Sequence, residues 1–366
     1  MKFQRYIGIM SGTSMDGSDA VLIKMNGNQW LGAESHAFTP YSGRLKKNLI
    51  ELQNTGSNEL HRSKMLAQEL STIYAQTVSD LLHQTNLQPI DITAIGCHGQ
   101  TVRHAPEHGY SIQLADLPLL AEHTGIFTIG DFRSRDLAAG GQGAPLVPAF
   151  HEALFSSTHE NRVVLNIGGI SNISVLSGKT TFGFDTGPGN MLMDAWTMHI
   201  WHQPYDKDGN HARSGKILSE LLNRLLSHSY FELKPPKSTG RELFSLPWLL
   251  NHLNTDIAPN DVLRTLVEYT AITIRDAVLK YAPDTQHIYV CGGGICNLFL
   301  MERLQALFQS HQISLHSTTE LNLNPQWVEA AAFGWLAACW VNKITSSPHH
   351  ATGANKANIL GAGYFA

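Results

Sequence analysis

The sequence predicts an α/β protein made of two halves of similar plan, and three observations predict it. Short apolar runs alternate with Gly-rich turns and with stretches of helical spacing, the pattern of layered strands and helices. A strand, turn, strand pattern at Tyr6–Met10, Ser11–Asp19 and Ala20–Ile23 returns at Val163–Leu165, Asn166–Asn172 and Ile173–Leu176, so that one hairpin opens each half. The chain of 366 residues also exceeds the ~100–200 of a typical domain. A chance likeness of two hairpins is the plainer alternative to duplication.

Between the hairpins, Arg44–Gln53 and Leu60–Thr85 carry helical spacing, the second through Leu66, Leu70, Ile73, Val78, Leu81 and Leu82. Ala94–Cys97 reads as a short strand ending in His98-Gly99-Gln100. Ile112–Leu114 and Ile126–Ile129 read as strands with a helix between them, and Asp131–Pro148 as a glycine-punctuated loop. In the second half Met191–Trp201, Gly215–Leu226 and Asp261–Tyr281 have helical spacing. Asn190 is placed to cap the first of these and Asn260 the last, because an Asn side-chain oxygen accepts from free first-turn amides. His287–Val290 is a strand running through Cys291 into Gly292-Gly293-Gly294, followed by helices at Asn297–Leu307 and Val328–Val341. The expected division is an N-terminal lobe over 1–155 and a C-terminal lobe over 156–366, with the Gly- and Ala-rich tail from Ser346 able to pack back on the first lobe.

Composition excludes some functions. With 43% hydrophobic residues the chain has ample surface to bury and is not disordered. A net charge of −4 lacks the concentrated basic surface of a nucleic-acid binder, so no nucleic-acid partner is expected. Cys97, Cys291, Cys296 and Cys339 are too scattered for a disulfide framework or a zinc site, which suits reduced thiols in the cytoplasm. Tyr6–Met10 is shorter than the ~7–15-residue apolar core of a signal peptide, and no run approaches the ~18 residues of a membrane span. A cytoplasmic protein with no membrane partner is expected.

The densest small-polar loop is Ser11-Gly12-Thr13-Ser14-Met15-Asp16-Gly17, continuing into Ser18 and Asp19. Small residues let backbone amides approach an anion, and Asp16 could hold a hydrated Mg²⁺ beside phosphate oxygens. An ordinary tight hairpin is the plainer reading. The same loop imitates the nucleophile segment of subtilisin-type proteases, with His98 and Asp185 to complete a triad. The chain order Ser, His, Asp opposes that, as does a loop set between two strands rather than ahead of a helix. Gly178-Lys179-Thr180 imitates a P-loop, but Ile173 stands where that motif needs glycine.

Asn166, with Gly168 and Gly169, forms the partner loop of the second half. Paired glycines at a strand end permit close backbone approach, and two such hairpins could grip phosphates from both sides. In Gly183–Asn190, Asp185 ends a short strand ahead of Gly187, a place that suits a general base, against an Asp that merely orders its own turn. Gly292, Gly293, Gly294 and Asn297 join a strand to a helix and could lie flat against an adenosine, or form a plain turn with Asn297 as a cap. His98, Gln100 and the Gly130–Asp136 segment put polar groups at strand ends. These could hydrogen-bond a sugar, with an Arg such as Arg133 on a carboxylate, or could simply form structural pairs.

Together these segments resemble the anhydro-N-acetylmuramic acid kinase family, of the acetate and sugar kinase, heat-shock chaperone and actin superfamily. The matching stretches are Ile7–Asp19, Cys97–Thr101, Gly130–Pro148, Asn166–Asn172, Phe184–Asn190, Pro235–Glu242, Cys291–Asn297 and Glu329–Ala337, in order over nearly the whole chain. Met10–Gly17 and Gly140–Pro148 are the most specific. The resemblance implies two ribonuclease-H-like lobes with a central nucleotide cleft, an actin-like ATPase architecture. It implies ATP and Mg²⁺ as cofactors, 1,6-anhydro-N-acetylmuramate as substrate, N-acetylmuramate 6-phosphate as product, a place in cell-wall recycling, and a homodimer. It places Gly12–Asp19 on the phosphates with Asp16 near the metal, Asn166–Asn172 opposite, Gly292–Asn297 on adenosine and Asp185 as the base. His98, Gln100, Arg133, Asp185, Gly187 and Glu329 then fall to the sugar. The rivals are another sugar or acetate kinase of the same superfamily and a non-catalytic ATP-dependent switch.

Overall fold

The computed structural model of the chain describes residues 3–12, 14–177, 181–240, 243–253 and 257–366. Two compact units divide it, Met1–Phe150 with Trp327–Ala366, and His151–Gln326. The sequence reading drew a single line at 155/156. In the structure the first division falls inside the helix Val147–Phe155, and the chain from Trp327 onward groups with the N-terminal unit.

The first unit opens with β1 (Gln4–Ser11), β2 (Gly17–Asn26) and β3 (Gln29–Pro40), an antiparallel meander. Helices α1 (Gly43–Leu52) and α2 (Glu59–Thr85) lead to β4 (Ala94–Ala105) and its hairpin partner β5 (Tyr110–Leu114). There follow α3 (Leu117–Thr124), β6 (Thr128–Gly130), α4 (Phe132–Leu137) and α5 (Val147–Phe155). β4 runs parallel to β1, and β6 parallel to β4.

The second unit repeats this plan. β7 (Arg162–Ile167), β8 (Ile170–Leu176) and β9 (Thr181–Pro188) form the meander. Helices α6 (Met191–Trp201), α7 (Asn210–Arg213), α8 (Ser219–Leu226), α9 (Leu246–Leu250) and α10 (Pro259–Tyr281) come next. β10 (His287–Cys291), α11 (Leu298–Gln309) and β11 (Ser314–Ser317) complete it, β10 parallel to β7 and β11 parallel to β10. The chain then returns to the first unit as α12 (Val328–Val341), α13 (His349–Thr352) and β12 (Ala362–Tyr364), which pairs with β6.

The strand orders are β12-β6-β4-β1-β2-β3 and β11-β10-β7-β8-β9. Removing β12 and β5 leaves the same five-stranded order in both, so the repeated hairpins belong to a repeated α/β topology. Strand alternation decides what each sheet face carries. In the first unit Ile7, Ile9, Ile95 and Cys97 join Leu45, Leu70, Tyr74 and Leu120 in one core. The intervening Gly8 and Gly96 face α12. A Cβ on Gly8 would lie 1.8 Å from the Ala330 carbonyl oxygen, and one on Gly96 would lie 2.0 Å from that of Phe333. Two backbones touch there, which only hydrogen in place of a side chain allows. α12 is apolar all round and buried over eleven of its residues, as a helix seated on a sheet must be.

Two expected caps are corrected. Pro259 opens α10 two residues early because its fixed φ suits the first helical position, and the Asn260 amide instead donates to Ser214 Oγ at 2.7 Å. Asn190 makes no side-chain cap bond and donates to the Ile167 carbonyl at 3.3 Å. Asn297 does cap α11, accepting from Leu300 N–H at 3.1 Å. Within the segment read as loop over Asp131–Pro148, α4 forms one short helix.

Candidate active site

In the first unit the turn between β1 and β2 is held from beneath. Met15, buried and at φ +55°, donates its N–H to the Gly12 carbonyl at 3.2 Å. The Gln100 amide nitrogen reaches the same carbonyl at 3.2 Å, while its oxygen accepts from Ser11 Oγ at 2.5 Å. Gln100 is fully buried at the point where β4 runs beside β1. The Asp16 carbonyl accepts from Tyr41 N–H at 2.9 Å. A Cβ on Gly12 would make only an ordinary contact, with Ser14 Oγ at 3.7 Å, whereas a Cβ on Gly17 would meet the Thr39 carbonyl of β3 at 2.4 Å. Gly17 is thus accounted for by strand packing and Gly12 is not. Ser14 is exposed, and the buried Ser18 hydroxyl has no hydrogen-bond partner among the described residues. Thr13 lies outside the described residues.

The two acids of this hairpin carry different partners. Asp16 is exposed and accepts from Lys46 Nζ at 2.6 Å, a surface pair that water can replace. Asp19 accepts from His36 Nε2 at 2.8 Å, and the His36 ring stacks on Trp327 at 5.6 Å. Glu329 follows in the first turn of α12, half-buried.

His98 and Arg133 meet. Arg133 donates through Nη1 to the Gly143 carbonyl at 2.7 Å and through Nη2 to His98 Nε2 at 2.9 Å. Burial, helped by the neighbouring guanidinium, holds His98 well below the ordinary histidine range. The ring is therefore neutral, with its proton on Nδ1. Arg133 sits on α4, whose buried Asp136 accepts from Gly143 N–H at 2.8 Å, Ser347 Oγ at 2.9 Å and Thr352 Oγ1 at 2.8 Å. That carboxylate ties the Gly140–Pro148 loop to the C-terminal tail and so fixes where Arg133 points.

In the second unit the Gly168-Gly169 turn rests on the start of α6. Gly189 and Met191 N–H donate to the Gly169 carbonyl at 2.9 and 3.1 Å, and Asn190 N–H to that of Gly168 at 2.8 Å. Both carbonyls are drawn toward the helix, and within the turn the Gly168 N–H donates to the Ile170 carbonyl at 3.1 Å. Beside it Asn166 is buried, with Cys291 Sγ at 3.8 Å. The following turn has two kinds of glycine. A Cβ on Gly292 (φ +82°) or Gly294 would meet Asn166 Oδ1 or Ile167 Cγ2 at 2.3 Å, while Gly293 has nothing within 4 Å. Asn297 is occupied as the α11 cap, so its role is at least structural.

Asp185 lies near the end of β9, gripped by one segment. Its N–H donates to the Lys237 carbonyl at 3.2 Å, and its Oδ2 accepts from Thr239 N–H at 3.0 Å. Its carbonyl accepts from Tyr230 Oη at 2.6 Å. Gly187, two residues on, has φ +141° and space limited by the Phe231 ring at 3.0 Å. Lys237, which no sequence argument singled out, is buried with Nζ donating to the Tyr230 carbonyl at 3.2 Å and lying 4.5 Å from that ring centre. Burial, with Lys280 adding to it, pulls its ammonium down to about 8, against the opposing pull of Asp185. Tyr41, Asp136 and Lys237 are the residues of these sites that sequence reasoning missed. Asp136 and Lys237 had a signal, inside the Gly130–Asp136 and Pro235–Glu242 stretches, and Tyr41 had none.

Taken unit by unit, the glycine turns suit phosphate oxygens in one specific way. A Cβ would meet only ordinary contacts on Gly12 (Ser14 Oγ at 3.7 Å) and on Gly168 (Ile170 O at 3.5 Å) and nothing on Gly293, and turn carbonyls are tied within the fold. Among the described residues no three His, Cys, Asp or Glu side chains gather to hold a metal. The exposed Asp16 fits an ion kept largely by water and phosphate oxygens, as Mg²⁺ prefers, rather than a protein cage.

The family model described as anhydro-N-acetylmuramic acid kinase matches residues 4–366. The chain is 68% identical over 366 residues to the anhydro-N-acetylmuramic acid kinase of Neisseria gonorrhoeae (strain ATCC 700825 / FA 1090), covering 100% of both. It is 67% identical to that of Neisseria meningitidis serogroup C, strain FAM18, again over 100% of both. It is 48% identical over 363 residues to that of Nitrosomonas europaea, covering 98% of this chain and 99% of the relative. Among solved structures it is similar to an activator of 2-hydroxyisocaproyl-CoA dehydratase from Clostridium difficile with bound ADPNP. That likeness has a TM-score of 0.47 at 12% identity, over 93% of this chain and 97% of the other. With the duplicated α/β topology, the two glycine turns and the gripped aspartate all on one chain that the family model spans almost end to end, this protein belongs to the anhydro-N-acetylmuramic acid kinase family.

Proposed function

We propose that the chain converts 1,6-anhydro-N-acetylmuramate, water and ATP into N-acetylmuramate 6-phosphate and ADP, in peptidoglycan recycling and amino-sugar catabolism. Family membership makes it an ATP-using phosphotransferase. The observation that carries the finer reading is the grip on Asp185 from Thr239 N–H, Tyr230 Oη and the Lys237 carbonyl. A base needs a fixed carboxylate: the Lys237 carbonyl and Tyr230 Oη hold the Asp185 backbone, and Thr239 N–H holds Oδ2 itself.

Asp185 would take a proton from the water that attacks the anomeric carbon. The C1–O6 bond then breaks, its electron pair stays on O6, and O6 displaces ADP from the γ-phosphorus. Protein work in phosphoryl transfer is mainly positioning and charge neutralisation. The amides of Gly12–Asp19 would hold phosphate oxygens, with Thr13, Ser14 and Ser18 as hydroxyl donors, and Asn166, Gly168 and Gly169 would do the same from the second unit. Mg²⁺, held near Asp16, would supply charge neutralisation on the triphosphate. Gly292, Gly293, Gly294 and Asn297 are assigned to adenosine. The sugar falls to His98, Gln100, Gly187 and Glu329, with Arg133 on the lactyl carboxylate, which a guanidinium can take through two bonds.

We place the protein in the cytoplasm as a homodimer. No helix among the described residues is long and apolar enough to cross a membrane. Detection of a sugar 6-phosphate by ³¹P NMR with anhydromuramate tests the reaction. Equal activity on ordinary, ring-closed amino sugars would move the assignment to another sugar kinase. ATP binding with slow hydrolysis and no sugar acceptor would make the chain a nucleotide switch. Sedimentation tests the dimer.

A further inference from the structure

Tyr41 is a half-buried residue that the chemistry above leaves unused. It stands just after β3, and burial pushes it up to about 12. It reaches both ends of the β1–β2 turn. Its N–H donates to the Asp16 carbonyl at 2.9 Å, at the far end. Its hydroxyl donates to Ser11 Oγ at 2.8 Å, at the near end. Ser11 Oγ in turn donates to Gln100 Oε1 at 2.5 Å, and Gln100 Nε2 donates to the Gly12 carbonyl at 3.2 Å. Each hydroxyl in this relay has one donor direction, so the order Tyr41, Ser11, Gln100, Gly12 is fixed. Ser11 is 2% exposed and Gln100 is 0% exposed, and the Tyr74 hydroxyl lies 3.5 Å behind Tyr41.

A turn that binds phosphate through amides must keep its carbonyl oxygens away from the anion. Here the Gly12 and Asp16 carbonyls are both taken by donors on the protein side. We propose that Tyr41, with Ser11 and Gln100, is a positioning device for the phosphate turn, holding the Gly12 and Asp16 carbonyls inward so that the amide face meets the triphosphate. This rests on the reading of that turn as the phosphate site. It also gives Gln100, assigned above to the sugar, a role through the turn.

The test is steady-state kinetics on Tyr41→Phe, Ser11→Ala and the double variant, with thermal melting of each. Tyr41→Phe removes one oxygen and keeps the ring. A buried hydrogen bond contributes ~1 kcal/mol, so KM for ATP should rise about 5- to 10-fold. KM for the sugar should stay within 2-fold. The double variant should be no worse than the worse single one, because both cut one relay. An unchanged KM for ATP beside a lowered melting temperature, an equal rise in both KM values, or additive effects would overturn the proposal. Gly12→Val separates this from the underlying reading, since a Cβ on Gly12 would meet only Ser14 Oγ, at an ordinary 3.7 Å. If Gly12→Val weakens ATP and Tyr41→Phe does not, the turn is the phosphate site and the device is wrong. If Gly12→Val leaves ATP binding intact, both fail.

Discussion

Gly8→Ala should damage the first unit more than any single methyl group normally does. The new Cβ would lie 1.8 Å from the Ala330 carbonyl oxygen and 2.4 Å from Gly334 N, where ordinary contact begins near 3.4 Å. Both obstacles are backbone, so no side chain can swing aside, and α12 must retreat by about 1.6 Å. A gap of ~0.5–1 Å already forfeits a quarter to a half of a dispersion contact. Overpacking typically costs ~1–3 kcal/mol, and with a whole buried helix displaced we expect about 3 kcal/mol or more. That corresponds to a fall of roughly 6–12 °C in the transition of a unit this size. The assay is thermal and urea unfolding followed by circular dichroism. Gly43→Ala is the control: it opens α1 behind the Ser42 cap with nothing within 4 Å, and should gain up to about 1 kcal/mol. A Gly8→Ala protein within about 1 kcal/mol of wild type would refute the backbone-contact argument.

Two further predictions follow from the same kind of reading. Gly294→Ala should lower stability through its contact with Ile167, whereas Gly293→Ala should melt like wild type and yet raise KM for ATP; a Gly293→Ala protein with normal ATP affinity would remove that glycine from the adenosine site. Acid should destabilise the protein through its buried neutral histidines, His104 at about 4 and His151 at about 3 against an ordinary 6.5. Because their folded values lie below the unfolded one, the unfolded chain binds the extra protons, and stability is lost as pH falls below about 6.5. The enclosed His151 alone contributes a slope of up to ~1.4 kcal/mol per pH unit. The urea midpoint should therefore be lower at pH 5.5 than at pH 7.5, and His151→Gln should flatten the difference; an unchanged midpoint would contradict the burial argument.

How much of this was legible in the sequence depended on whether the signal was local. Both hairpins were, because apolar runs flank glycines that only a turn or a ligand explains. β3 was not: it is an edge strand with Ala37 as its one buried residue and two register shifts against β2, so no alternation marks it. α12 showed itself as an apolar run, but that it seats on Gly8 and Gly96 of the first unit depends on pairs more than 200 residues apart. Asp185 was singled out as the end of a short strand, but β9 runs on to Pro188, and the Tyr230 and Lys237 contacts that hold its backbone arise only on folding. Gln100 read as a sugar ligand because it follows His98. Its bonds to Ser11 and Gly12, across 89 and 88 residues of chain, arise only on folding.

The central claim is that Asp185 activates water at the anomeric carbon while O6 takes the phosphoryl group. Its most direct test is the reaction run in H₂¹⁸O and quenched before anomeric exchange, with wild type and Asp185→Asn compared by mass spectrometry. An Asn side-chain oxygen can still accept from Thr239 N–H, so the fold is kept while the base is lost. The account predicts ¹⁸O at C1 and none in the phosphoryl group, with turnover lowered ~10²–10⁴-fold in Asp185→Asn. Label in the phosphoryl group, or an Asp185→Asn enzyme within a few-fold of wild type, would contradict it.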